Sequence, residues 1–242
     1  MIIKNSAVNI MFSRCENIKK QYILNEEIIK ERFNEASILP IPDEAPSEIP
    51  RVIVKTKGEH SQLSIAPGAV NFQTEYSDDY TQNWELCEEY IKSRIENIFK
   101  LTDKFAAEQY NYIGIVTNLI WDNVSKDGNK ILFNNLFGIP SADNLDDLVV
   151  KYTYIEKEKY YANITLQSAR IYKNSNVNEA GSFVEDNLEA HTIGITFDIN
   201  DRYAFNMQKG YLSNKTNFDE LLNLTTDIIN SKLKNLVEKG AY

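Results

Sequence analysis

The feature that most constrains the fold is a one-sided helix. Between about Thr81 and Phe105, Trp84, Cys87, Ile91, Ile95, Ile98 and Thr102 recur every three or four residues, while Glu85, Glu88, Glu89, Lys92 and Glu96 fall elsewhere. Apolar residues at that spacing line one face of a helix, and that face needs a second layer to cover it. A second stripe runs from about Asn217 to Glu238 through Phe218, Leu221, Leu222, Thr225, Ile228, Ile229, Leu233 and Leu236, with Thr216-Asn217 as a cap. The alternating segments of the chain supply the surface these helices require.

The first such segment, Ala7 to Phe12, puts Val8, Ile10 and Phe12 on one side. A helix is predicted from about Glu16 to Phe33, with Ile18, Tyr22, Ile28, Ile29 and Phe33 facing inward. Pro40, Pro42, Pro46 and Pro50 then forbid regular helix or a central strand. That stretch reads as an extended ordered loop, or as a polyproline segment that binds a partner. Three strands follow: Arg51 to Lys57, Gln62 to Ile65 and Val70 to Tyr76. After the Thr81 helix the order starts again. Tyr112 to Trp121 is apolar on both faces, as in a central strand, and a short helix covers Lys130 to Phe137. Leu148 to Ile155, Tyr160 to Tyr172 and His191 to Ile199 are three more strands before the last helix. The expected fold is α+β: two β-α-β-β-β-α modules in tandem, residues 1–106 and 107–242, packed together as one globular unit. Helices would cover one face of a mainly antiparallel sheet.

A net charge of −9 makes the chain a poor partner for nucleic acid. Cys15 and Cys87 form no CxxC and read as free thiols of a reducing cytosol. The start lacks the pattern of a signal peptide, and no apolar stretch approaches the roughly 20 residues of a membrane span. A cytoplasmic protein without membrane contact is expected.

Chemistry-bearing residues are sparse. His60 and His191 are the only histidines, which excludes a histidine-rich metal site, and HExxH, GxSxG, GxxxxGK[ST] and GxGxxG are all absent. The densest segment is Phe197 to Asn206. Asp198 and Asn200 open it like a calcium loop, but Arg202 takes the next ligand position and Tyr203 replaces the turn glycine. It reads as a polar strand end, or as a site where Asp198, Asn200, Asp201 and Arg202, with Asp147 or Asp122, hold Mg²⁺ or a substrate cation. Asp146-Asp147 precedes the strand bearing Lys151, but Val149 stands where a nuclease of that kind needs an acid. Lys151, Tyr152, Tyr154, Tyr161 and Arg170 form a basic–aromatic group, which could stack bases or form ordinary cross-strand pairs; the acidic chain favours the second. The connection from Lys173 to Glu189, with Ala180-Gly181-Ser182, exceeds usual loop length.

Leu39-Pro40-Ile41-Pro42-Asp43, the helix start Tyr80-Thr81-Gln82-Asn83-Trp84 and the strand Tyr112-Ile113-Gly114-Ile115 carry a resemblance. On them the chain resembles a sporadically distributed family of uncharacterised bacterial proteins. The resemblance implies a mobile-element or defence neighbourhood and no particular activity. With no converging reactive groups, the expected function is non-catalytic binding of another protein or a self-copy, without a cofactor. A metal-dependent hydrolase or nuclease on Asp198 and Asp201, and a protein with a cavity for an apolar ligand, are the alternatives.

Overall fold

The computed structural model describes residues 1–121, 128–140, 144–172 and 188–242; Asp122 and Ala180-Gly181-Ser182 lie outside them. Strand β1 (Ile2–Phe12) sets the frame. Its alternation buries Ile3, Ser6, Val8, Ile10 and Phe12 and leaves Asn5, Ala7, Asn9 and Met11 half-buried. It pairs antiparallel on both edges, with β5 (Ala69–Glu75) and with β6 (Tyr110–Trp121). Val8 stands opposite Phe72 and Ile115, and Asn9 opposite Asn71 and Gly114. Apolar and polar residues therefore form separate rows across the sheet.

The remaining strands are β2 (Ser37–Ile38), β3 (Val52–Lys55), β4 (Ser61–Ala66), β7 (Val149–Glu156), β8 (Tyr160–Tyr172) and β9 (Leu188–Asn200). All nine lie in one sheet of order β2-β3-β4-β5-β1-β6-β9-β8-β7, and every ladder is antiparallel. Outward from β1 the order is β5, β4, β3; outward from β6 it is β9, β8, β7.

The helices are α1 (Ile18–Asn25), α2 (Trp84–Ala106), α3 (Gly128–Phe137), α4 (Arg202–Met207), α5 (Lys215–Asp227) and α6 (Leu233–Lys239). Asn83 caps α2 by accepting the Glu85 and Leu86 amides. The buried faces of α2 and α5 meet where the Phe99 and Phe218 rings pack edge to face, 5.6 Å between centroids. At the start of α2, Trp84 Nε1 donates to Thr226 Oγ1 at 2.8 Å. No helix among the described residues is long and apolar enough to cross a membrane.

Several expectations shift. The helix expected to reach Phe33 ends at Asn25 and gives way to a 3₁₀ turn over Glu26–Ile28, while Phe33 bridges to Thr56 instead. The Asn25 side chain donates back to the Gln21 carbonyl at 2.8 Å, the local competition that makes asparagine a poor helix residue. The last helix is interrupted by a π-helical turn, Ile228–Lys232, which rotates the stripe so that Ile228, Leu233, Leu236 and Val237 all stay buried. Helix α4, too short to announce itself by periodicity, places Phe205 against Tyr112 and Tyr203 against Tyr161. Those tyrosines belong to the polar rows, so the helices are not confined to one face.

The proline loop is held from within. Arg51 is fully buried and donates to the carbonyls of Ile49 (2.6 Å), Ala45 (2.9 Å) and Pro46 (3.4 Å). Lys19 reaches the Ile41 carbonyl at 2.7 Å, and Arg14 the Asp43 carbonyl. Prolines donate no amide, so the loop's carbonyls draw on these cations. With those acceptors engaged, the loop is strapped to the body of the protein. Arg51→Met should cost about 2 kcal/mol, because it removes the three bonds that tie the loop's part-buried carbonyls to the core; the midpoint of urea unfolding measures this.

Candidate functional site

The half-buried face of the sheet is a lattice of asparagine and threonine side chains with the Asp198 carboxylate among them. Asn71 donates to Asn9 Oδ1 at 2.6 Å, Asn118 to Asn5 Oδ1 at 2.7 Å, and Thr196 to Asn118 Oδ1 at 2.6 Å. Farther out, Asn163 donates to the Asp198 carbonyl at 3.2 Å, and Thr153 Oγ1 to Asn163 Oδ1 at 2.9 Å. The lattice thus crosses β5, β1, β6, β9, β8 and β7. Asparagine is poor in central strands, and sideways amide pairing offsets that. Gly114 keeps the centre open, since a Cβ there would lie 3.1 Å from that of Asn200.

One end of this face is aromatic. The Tyr112 and Phe205 rings lie 5.6 Å apart, Tyr161 meets Tyr203 nearly at right angles at 5.3 Å, and the Arg202 guanidinium lies 5.4 Å from the Tyr112 centroid. Phe205 is 38% exposed and Met207 66%. Asn200 Oδ1 accepts the Arg202 amide at 3.2 Å and fixes the turn into α4.

Beneath α4 lies its anchor. Asp201 is wholly buried, and its carboxylate accepts the Ile113 amide (2.6 Å), the Tyr211 hydroxyl (2.7 Å), Asn217 Nδ2 (3.3 Å) and the Ser213 hydroxyl. Asn217 Oδ1 in turn accepts Lys159 Nζ at 2.7 Å. Burial and the bond to Asp201 push the Tyr211 hydroxyl well above the ordinary tyrosine range; burial and Glu220 do the same to Tyr160. Both stay protonated at neutral pH, the wrong state for a general base. The Tyr160 hydroxyl bond, aided by Lys159, holds the Glu220 carboxyl below its usual range.

The candidate residues of the Asp198 segment do not converge. Asp198 lies on the polar face, taking Asn200 Nδ2 at 2.9 Å, whereas Asp201 is closed off by its four donors. Asp147 precedes β7 and accepts the Ser168 hydroxyl (2.5 Å) and the Leu148 amide (2.8 Å), and the Ser168 bond foremost holds its carboxyl below the usual carboxylate range. Among the described residues, no group of three or more His, Cys, Asp or Glu side chains is placed to hold a metal.

The basic–aromatic group is divided by strand alternation. Lys151 shares the polar face with Thr165, and Tyr161 with Asn200. Tyr152 and Tyr154 point the other way. There Tyr154 stacks on Tyr242 at 4.0 Å, under the Lys232 ammonium. Arg170 is tied to Asp146. Tyr112 and Phe205 were not singled out; the clue available was the Tyr203-Ala204-Phe205 run beside Arg202.

No protein-family model matches the sequence, and no curated protein matches it.

Glu220 supplies a pH test. A carboxyl whose folded pKa is depressed stabilises fully above its unfolded pKa, and that contribution fades as pH falls through the folded pKa. From about pH 5 to pH 2 the wild type should lose more stability than Tyr160→Phe, as read by denaturant unfolding across that range.

Proposed function

We propose that the chain is a non-catalytic binding protein whose protein partner lies on the polar sheet face, centred on Tyr112, Tyr161, Tyr203, Phe205 and Arg202. The observation that carries this reading is the placement of partly exposed rings and a guanidinium at the end of a half-buried, hydrogen-bonding lattice. Aromatic and arginine side chains dominate the energetic centres of protein interfaces, and polar groups surround them. The amides and hydroxyls of the lattice offer both donors and acceptors to a flat partner surface, and the Asp198 carboxylate among them is already bonded by Asn163 and Asn200. The acidic chain argues against nucleic acid as the occupant. The full engagement of Asp201 weighs against a hydrolase built on Asp198 and Asp201.

The reading takes the two halves, residues 1–106 and 107–242, as versions of one module. The mirrored strand orders on either side of the β1–β6 pairing support this. So do their strand exits: the Tyr76 amide donates to the Lys4 carbonyl at 2.9 Å beside β1, as that of Asp201 donates to Ile113 at 3.1 Å beside β6. A cytoplasmic setting belongs to the same reading, supported by the unpaired thiols Cys15 and Cys87. So does membership of the bacterial family that the Pro40, Tyr80 and Tyr112 motifs resemble.

Site-specific photo-crosslinking tests the surface. A crosslinker at position 205 should give a discrete adduct that one at Glu89 does not. Arg202→Glu with Tyr203→Ala should reduce the adduct at least about tenfold, the loss typical of interface anchors. Absence of any adduct at 205, or an adduct indifferent to the double substitution, would refute the reading. An adduct of two copies of this chain would identify the partner as self.

A further inference from the structure

At the opposite corner of the sheet, the β3–β4 turn, the exit of β5 and the start of α2 enclose a hollow of about 280 Å³. Tyr76, Tyr80 and Tyr90 line it with His60, Glu75 and Ser77. We propose that this hollow binds a small organic cation of the alkylammonium class, a site separate from the aromatic end of the polar face.

Ring arrangement is the first ground. Tyr76 and Tyr80 are near parallel, 11° between planes and 6.3 Å between centroids. Tyr90 stands at 84° to Tyr80, 5.8 Å away. Three tyrosine rings thus wall one hollow, and the aromatic surface they leave toward it carries the negative quadrupole that attracts an ammonium group.

Rigidity is the second. The Tyr76 hydroxyl bonds Ser6 Oγ at 2.6 Å, and the Tyr90 hydroxyl bonds Ser61 Oγ at 2.8 Å, with Ser61 donating to Thr74 Oγ1 at 2.9 Å. Both hydroxyls are therefore consumed by the core, and what remains for a ligand is the π surface. A preorganised wall spends little of its binding energy on ordering.

Charge is the third. Glu75 lines the hollow itself, and Glu59 lines the adjoining groove that shares His60 and Glu75. Lys55 is the only lysine or arginine among the lining residues of the two. An anion would meet two carboxylates, whereas a cation gains from both. The Arg94 guanidinium, 3.7 Å from the Tyr90 centroid and outside the lining of the hollow, takes one face of that ring and leaves the other. The volume of about 280 Å³ falls just below the roughly 300–1,000 Å³ of small-molecule pockets, which suits a headgroup rather than an extended ligand.

The probes are choline and its uncharged isostere 3,3-dimethylbutan-1-ol, titrated into ring-labelled tyrosine protein and followed by NMR. Choline should move the Tyr76, Tyr80 and Tyr90 resonances with a millimolar Kd, and the isostere should bind at least about tenfold more weakly. Tyr80 is 38% exposed and Glu75 is exposed, so both can be replaced without opening the core. Tyr80→Ala should weaken choline about tenfold and Glu75→Gln severalfold, while Phe205→Ala leaves it unchanged. Two results would overturn the proposal: no ring shift at about 50 mM choline, or equal binding of choline and the isostere.

Discussion

The antiparallel pairing of β1 with β6 is the constraint on which the rest of the structure depends. Each is paired on both edges, and together they turn the large aliphatic residues Ile3, Val8, Ile10, Ile113, Ile115 and Leu119 to the core and Asn5, Asn9 and Asn118 to the other side. A slip of one residue between them would turn Val8, Ile10, Ile113 and Ile115 outward and send Asn5, Asn9 and Asn118 into the core. Burial of those aliphatic side chains contributes roughly 1.5–3 kcal/mol apiece, so the register is fixed energetically. Every other strand inherits its facing from this pair. The amide lattice and the aromatic end fall where they do because the central register puts them there.

That dependence explains what can be read from the sequence. Helix α2 is legible because its stripe repeats over six turns and its charges avoid the stripe. The strands are legible because Val, Ile, Tyr and Phe alternate or run together between turn residues. The adjacency of β1 and β6 is not, since they meet across roughly a hundred residues and local patterns carry no long-range pairing. Helix α4 is hidden for another reason: six residues hold too few repeats for a period to emerge, and Asp201 is committed to it by contacts from Tyr211, Ser213 and Asn217.

The candidate surface was legible only in fragments. Arg202 and Tyr161 are visible as chemistry, and Tyr161 and Lys151 do share a face. Tyr152, Tyr154 and Arg170 look like their companions in the sequence, yet the two-residue period of β7 and β8 sends them to the other side. Asp198 and Asp201 look like a pair of ligands, yet one is an acceptor on the polar face and the other a buried structural anchor held by four donors. Residue type suggests a chemistry; only the direction of the side chain decides whether it can be carried out.

The position of β1 has a consequence for synthesis. As the chain emerges from the ribosome, β1 can pair with β5 once the strands up to β5 are out, but its second edge stays open until β6 appears. During that interval the nascent chain exposes a long strand edge flanked by Val8, Ile10 and Phe12, the kind of edge that templates wrong pairings. Helix α2 is made within that same interval and can shelter the apolar row, so the order of elements along the chain serves as a timetable for covering its most hazardous edge.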